Sequence, residues 1–494
     1  MNTPFFPSLR PVLAPMGSRS RSRLVPLELT HATLAQIEQR LAPALDPDIF
    51  LKPSSGFFSR NRVFPLFRVF WCWIWQALQS NGSCREVITQ LEALFALHGK
   101  PPISPGTAAY CQARAKFPTL LLEKAFAASA SSAQLKAQAT PLLKGRPIRI
   151  VDGTTVRLAE SSANRRAYPP SANQFKTPSF PLLKMVCLFC LSSGAILTRA
   201  ISNIVESELR LLMNLKPSLK AGDILVGDRA YGCYVIAAWL RDLGCDLVAR
   251  INARSRKVDF RRAKRRLGQQ DAVFVWRKPQ SKASPLMTQE EWDALPSELE
   301  VRIIRRKIER PGFRTREVCI GTTLLDAVAY PADEVLEAYL RRWRMEMCLD
   351  DLKTSLGMEN LRGQSPAIVQ RELLVFLCTH NLLRWVMASA AKAGNVNLER
   401  ISFMGSLDAL RHWTSAMAMA KGRGRHKQLR ELWRKLLISL AKGLVPSRPG
   451  RQEPRAVKKR SKYPRLTCPR GQYVERWSRN RRRRTSRAKR ATAA

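Results

Sequence analysis

The sequence predicts a mixed α/β protein whose strands are flanked in the chain by helical segments. Three observations carry that reading. From Pro147 the hydrophobic period becomes that of strands, in PIRIVDGTTVRL, LLKMVCLFCLSS and GAILTRAISN, each closed by turn residues. DILVGD, a helix over 231–243 and CDLVARIN follow, and consecutive strands ahead of such a unit favour a mixed sheet over an all-parallel one. Residues 27–145 and 331–443 carry helix period instead.

Residues 1–26 form a Pro-, Ser- and Arg-rich leader, expected to be flexible. They lack the ordered charged, apolar and small-residue regions of an export signal, so a cytoplasmic protein is expected. Residues 27–145 are expected as a helical N-terminal domain. Its most hydrophobic stretch, 63–78, carries Arg68 and falls short of the roughly 20 apolar residues a spanning helix needs. A buried helix is the expectation, and no membrane partner. Ser83 and Glu86 form a capping box ahead of CREVITQLEALFAL, and Ser104-Pro105 reads as a second helix start. The two helices around HGKPPI suit either a DNA-reading helix-turn-helix or an ordinary helix pair.

Residues 146–253 hold the first part of the α/β core, with a helix over 206–215 after the third strand. Residues 254–325 are basic and strand-rich, in AVFVWRK, LEVRIIRRKIE and TREVCIGTTL, and read as a β-rich insertion because helix period resumes at Pro331. Residues 326–445 complete the core and add C-terminal helices. Residues 446–494 form a basic tail with 18 Lys and Arg against two Glu, expected to be solvated and disordered.

The composition excludes several classes. Forty-five per cent hydrophobic residues over 494 positions rules out wholesale disorder. A net charge of +46 asks for a polyanionic partner, most simply nucleic acid. Eleven scattered cysteines do not form a disulfide framework, and Cys187 and Cys190 suit a buried strand better than a zinc site. His31, His98, His380, His412 and His426 show no ligand spacing, which argues against a zinc hydrolase.

Three acidic positions stand out. Asp152, in RIVDGTTV, is either a strand carboxylate beside a glycine or part of an Asp-Gly turn. Asp228 ends an apolar strand, where α/β sheets place their sites, or else caps the next helix. In EAYLRRWRMEMCLDDLKTSLG, advancing about 100° per residue puts Tyr339, Arg342, Glu346 and Lys353 within a sector of about 60°. Trp343 flanks it, and Leu336, Met347 and Leu340 would continue it as an apolar stripe. The alternative is an amphipathic helix with a solvated charged edge. Asp350 shares the face with Glu346, so a positive partner is wanted, either Arg342 or a metal ion. Two strand carboxylates and one helix carboxylate amid basic surface are a Mg²⁺ site type.

Tyr339-x2-Arg342-x3-Glu346-x6-Lys353, with Trp343 after the arginine, resembles the Tyr-Arg-Glu-Lys signature of the DDE transposases of bacterial insertion sequences, the insertion element four family. Asp152 in VDGTTV and Asp228 in GDRAYG are similar to the family's two aspartates, 76 residues apart, with Glu346 a further 118 on. SCREVITQL, ISPGTAAYCQARAKF and RPGRQEPRAVKKRSKYPRLTCPR extend the likeness over roughly residues 35–470. The resemblance implies an RNase H-like core carrying the β-rich insertion, and cut-and-paste transposition of an insertion sequence by phosphodiester hydrolysis and strand transfer. It implies that Asp152, Asp228 and Glu346 are catalytic and bind two Mg²⁺ ions, with Mn²⁺ as substitute. Tyr339, Arg342, Lys353 and Trp343 would contact DNA. The partners implied are double-stranded DNA, at element ends and target, and further copies of the chain in a homodimer or larger synaptic complex at the nucleoid. Relatives pass through a hairpin that flips a base, for which Trp276 and Trp292 are stacking candidates or core residues. A Mg²⁺-dependent nuclease, or a domesticated DNA-binding relative without strand transfer, is the alternative.

Overall fold

A computed structural model describes residues 36–446, apart from 61, 80–81, 98, 171–179, 252–257, 281–285, 309–316, 419 and 421–423. The leader 1–26 and the tail from residue 447 lie outside the described residues.

Among the described residues, a helical stretch over 36–41 is followed by α1 (Leu66–Leu78), α2 (Cys84–Leu97), α3 (Ala108–Lys116) and α4 (Thr119–Lys136) ahead of the sheet. Helix α1 is buried along most of its length, Trp71, Trp73 and Trp75 included, as its apolar sequence requires. Helix α2 starts on the expected capping box: the Glu86 amide donates to Ser83 Oγ at 3.1 Å and the Ser83 amide to Glu86 Oε2 at 3.4 Å. Helix α3 begins at Ala108, later than the Ser104-Pro105 signal. The Ser104 hydroxyl accepts from the Gly106 amide at 3.4 Å, so it closes a local turn instead of capping a helix.

Among the described residues nine strands form one sheet: β1 (Ile148–Arg157), β2 (Leu182–Cys190), β3 (Ile196–Asn203), β4 (Ile224–Gly227), β5 (Asp246–Arg250), β6 (Arg265–Gly268), β7 (Asp271–Arg277), β8 (Glu298–Lys307) and β9 (Glu317–Thr322). Their spatial order is β3-β2-β1-β4-β5-β9-β8-β7-β6. Strands β1, β2 and β3 are antiparallel neighbours, while β4 and β5 run parallel to β1. Order 3-2-1-4-5 with only the second strand reversed is the RNase H-like arrangement. Between them run α5 (Ser162–Ala167), α6 (Glu208–Met213) and α7 (Tyr234–Asp242).

The β-rich stretch, which also holds α8 (Gln289–Ala294), continues the same sheet. Strand β9 pairs antiparallel with β5, so the main-chain ladder passes from the core into β8, β7 and β6 without a gap. Trp276 and Trp292 are 8 % and 5 % exposed and pack in the hydrophobic cluster beneath it. They are core residues and offer no stacking platform at the surface.

The chain then enters α9 (Ala332–Arg341), α10 (Trp343–Asp350), a π-helical turn over Asp351–Ser355, α11 (Pro366–Gly394), α12 (Phe403–Ala418) and α13 (Arg425–Lys442). Helix α11 is the one described helix long and apolar enough to cross a membrane, and 89 % of its apolar window is buried in the protein. Its Asn381 side chain bonds both the amide and the carbonyl of Ile196, each at 2.9 Å. That clamp fixes the helix on the β3 side of the sheet. Two clusters cover the two faces. Ile148 and Ile150 of β1 join the helical cluster containing α9 to α13, and Val151 joins the opposite one with α6 and α7.

Arg302 of β8 and Asp271 of β7 form a buried pair, with side chains 1 % and 8 % exposed. Arg302 Nη1 also donates to the Tyr330 carbonyl at 2.6 Å, one residue before the turn into α9. Asp271→Ala leaves the guanidinium buried without its partner, so it should cost about 3–5 kcal/mol. Urea unfolding of the variant checks this, and a loss below about 1 kcal/mol would remove the pair from the determinants of stability.

Candidate active site

The register of β1 and β4 brings the two aspartates together. Ile150 pairs with Val226 in the parallel ladder, so two residues further along each strand Asp152 and Asp228 come level. Neighbouring strands lie about 4.8 Å apart, and residues two apart share a face. Both carboxylates therefore rise from the face that α9 and α10 cover. Asp152 lies inside β1, opposite Cys187 of β2, so its Asp-Gly step is strand and not turn. Asp228 follows β4 directly and does not cap α7, which starts at Tyr234 behind Cys233. Its Oδ1 accepts from the Ala230 amide at 2.7 Å, which turns the chain away from the sheet.

Glu346 comes from α10. The chain is interrupted at Arg342, which ends α9 and begins α10. Arg342 is 6 % exposed, and its Nη2 donates to Glu346 Oε1 at 2.9 Å. Its guanidinium also sits 5.9 Å from the ring centroids of both Tyr339 and Trp343. The positive partner wanted for Glu346 is thus Arg342. Asp350 accepts from the Thr354 hydroxyl instead, at 2.9 Å.

The uniform helical wheel fails at two points. Lys353 lies in the π-helical turn, which departs from 100° per residue, so it does not keep the angular position of a straight helix. Met347 is 64 % exposed, and α10 turns Met345, Cys348 and Leu349 to the core in place of the expected stripe through Met347. Leu340 is buried as expected. Trp343 is 38 % exposed, whereas Tyr339 is 4 % exposed.

Electrostatics tie these residues into one group. Burial pushes the Asp152 carboxyl up to about 6; Arg342 and the Gly153 amide pull it down, and Glu346 and Asp228 push it further up. Burial also raises the Tyr339 phenol, with Arg342 and Arg250 opposing and Asp228 assisting. Arg250, at the end of β5, is a neighbouring cation the sequence did not single out. Glu208 and Tyr231 were also missed as packing partners of the site. Their signal lay in the glycines beside the two aspartates, Gly153 and Gly227.

A model of the Transposase DDE domain family matches residues 143–382, a span containing Asp152, Asp228 and Glu346. The chain is 26 % identical over 441 residues to "Transposase InsG for insertion sequence element IS4" of Escherichia coli (strain K12), covering 86 % of this chain and 93 % of that protein. These likenesses support a DDE transposase of the IS4 family. A weaker likeness, with a TM-score of 0.39 and 10 % identity, extends over 83 % of this chain and 84 % of the other to a cryo-EM structure of the piggyBac transposase synaptic complex with hairpin DNA. This transposase is an enzyme that cleaves and transfers DNA strands, in a family that works with divalent metal ions.

The donor types of Asp152, Asp228 and Glu346 suit such an ion. Carboxylate oxygens are the donors hard divalent cations prefer. Burial is the main cause of the raised Asp152 carboxyl, and the smaller contributions of Glu346 and Asp228 are a repulsion that a cation relieves. Among the described residues no group of three or more acidic, thiol or imidazole side chains is drawn together closely enough to hold a metal ion.

Arg342→Gln should move the metal-free Asp152 carboxyl above about 6, because the largest opposing charge is gone. A group raised on folding costs stability as pH climbs from its unfolded value to its folded one. Metal-free protein is therefore expected to weaken from about pH 4 upward, more extensively in the variant. Carboxyl chemical shifts against pH measure it; an unchanged Asp152 titration would place Arg342 out of reach.

Proposed function

We propose that this transposase moves an insertion sequence by a cut-and-paste route, with Asp152, Asp228 and Glu346 as its catalytic carboxylates. The observation that carries the reading is the register that sets Asp152 and Asp228 level on parallel strands, under the helix pair that carries Glu346. When bound, two Mg²⁺ ions, or Mn²⁺ in their place, activate the attacking oxygen and stabilise the leaving one. Asp152 and Asp228 would hold them from the sheet, and Glu346 from the helix. Water is the first nucleophile, nicking a strand at the element end. The freed 3′ hydroxyl is the second, joining the element to target DNA.

The other signature residues divide by burial. Arg342, 6 % exposed, orients Glu346 and stands ready for a phosphate oxygen next to it. Tyr339 supports Arg342 from beneath. Trp343 and Lys353, both more open, meet the DNA backbone as a flat contact and a point charge. The +46 net charge supports a duplex DNA partner at the nucleoid, and the helix pair α2 and α3 is an added DNA contact in the N-terminal domain. Two element ends are handled together, so the working unit is a homodimer or a larger assembly.

Two outcomes are expected. Glu346→Gln removes a metal-binding charge with little change of shape, so cleavage of labelled element ends should fall below detection while binding by gel shift persists. Full cleavage by the variant would overturn the assignment, and a joining assay on wild-type protein separates a transposase from a plain nuclease. Lys353→Ala should weaken DNA binding and lower the slope of log affinity against log salt by about 1. An unchanged slope would take Lys353 off the phosphate contacts.

A further inference from the structure

The N-terminal domain carries a basic, aromatic hollow that the carboxylates and their helix do not use. Between α3 and the loop ahead of α1 lies a cavity of about 940 Å³, near the upper end of the roughly 300–1,000 Å³ that ligand clefts span. Phe57, Phe58, Arg60 and Arg62 line it from the loop, and Gln112 and Lys116 from the helix. Among the described residues no acidic side chain lines it. The loop holds one of its two rings out and the other in. Gly56 and Phe58 both take left-handed backbone, with φ of +76° and +71°, a conformation that is costly for phenylalanine. Ser59 closes the turn on the Gly56 carbonyl, its amide at 3.5 Å and its hydroxyl at 2.8 Å. Phe58 packs against the core, its ring 6.0 Å from that of Phe117. Phe57 is left 65 % exposed at the mouth of the cavity. Lys116 Nζ stands 4.8 Å from the Phe57 ring centroid, a cation over one face of an otherwise open ring.

We propose that this cavity binds an unpaired base of DNA, stacked on Phe57, with the neighbouring phosphates held by Arg60, Arg62 and Lys116. The proposal rests on the reading of DNA strand cleavage given above, because a nicked end frays and supplies unpaired bases. Single strands are held by positive charge along the backbone and by aromatic rings under the bases, and both are present here without an opposing carboxylate. A paired duplex offers phosphates and base edges but buries its base faces, so the open ring gains nothing from it. Every base has a face to stack, which makes the site tolerant of sequence. Gln112 adds a donor and an acceptor for a base edge.

The test is gel-shift titration of the full-length protein with three probes: a blunt duplex, that duplex with a short single-stranded overhang, and the same overhang with abasic sites in place of its bases. The abasic overhang keeps the phosphates and lacks the rings. Wild type should bind the base-bearing overhang more tightly than the abasic one by about 5–150-fold, the range that one base–aromatic stack spans. Phe57→Ala should abolish that difference, and Phe57→Tyr should keep it. Arg60→Ala should weaken both overhangs alike and lower the slope of log affinity against log salt by about 0.7. Ultraviolet crosslinking of an iodouracil placed in the overhang should mark the wild-type peptide that contains Phe57. That readout needs no variant, and thermal midpoints identify any variant that has merely unfolded. Wild-type binding of the blunt duplex with no preference for bases over abasic sites overturns the proposal alone. So does a preference that survives in folded Phe57→Ala, or a crosslink confined to other peptides. Failure of wild type to bind any of the three probes overturns the reading beneath it.

Discussion

Two carboxylates forced level on adjacent parallel strands are the constraint around which this protein is arranged. The pairing of Ile150 with Val226 leaves Asp152 and Asp228 no other relative position, because strand register moves side chains only as a set. Two like charges about 5 Å apart repel by about 3 kcal/mol at the effective dielectric of a protein site. Folding accepts that repulsion and offsets it locally. The Gly153 amide and Arg342 lower the Asp152 carboxyl, and Arg342 binds Glu346 at 2.9 Å at the same time. One buried guanidinium thus serves several acids, a balance that a divalent cation shifts by more than any side chain can.

The rest of the fold keeps that arrangement stiff. Strand β1 is the central member of the RNase H-like part, flanked by β2 and β4, so Asp152 cannot move without breaking two ladders. Helix α11 is pinned to the edge strand β3 through Asn381, and Glu372 of the same helix accepts the Arg362 and Gly363 amides at 3.0 and 2.8 Å. Those amides belong to the loop that follows the π-helical turn, so the helix that carries Glu346 is held at both ends. At its start, Arg302 carries the Tyr330 carbonyl into the buried pair with Asp271. The β-rich stretch is therefore a brace for α9 as well as an extension of the sheet.

Much of this was legible in the sequence, and the failures have physical causes. The strands were legible because their apolar runs are bounded by turn residues, and the capping box at Ser83 and Glu86 because its chemistry is local. The start of α3 was not, because Ser104 had a competing turn to close with Gly106. The signature spacing on α9 and α10 placed Glu346 and Arg342 as partners, since an i,i+4 pair survives the irregularity at Arg342. Lys353 and Met347 lie beyond what a straight wheel can carry, past a break and into a π-helical turn. The inward packing of Trp276 and Trp292 depended on how the β-rich stretch joins the core sheet, a long-range pairing of β9 with β5 that no local pattern contains.

The two glycines mark the limit most clearly. Read along the chain, Gly153 and Gly227 are turn or strand-end signals, and Asp-Gly in particular suggests a bend. Neither has the left-handed backbone that would require glycine, so conformational freedom does not explain them. Space does: each admits a side chain from the opposite face, Glu208 at one and Tyr231 at the other, within 3 Å of where a methyl group would stand. A glycine next to one of these two aspartates is then a statement about a third residue, the one that fills its space. Here that residue sits behind the sheet, which is why the signature on α9 and α10, all of it in front, gave no sign of it.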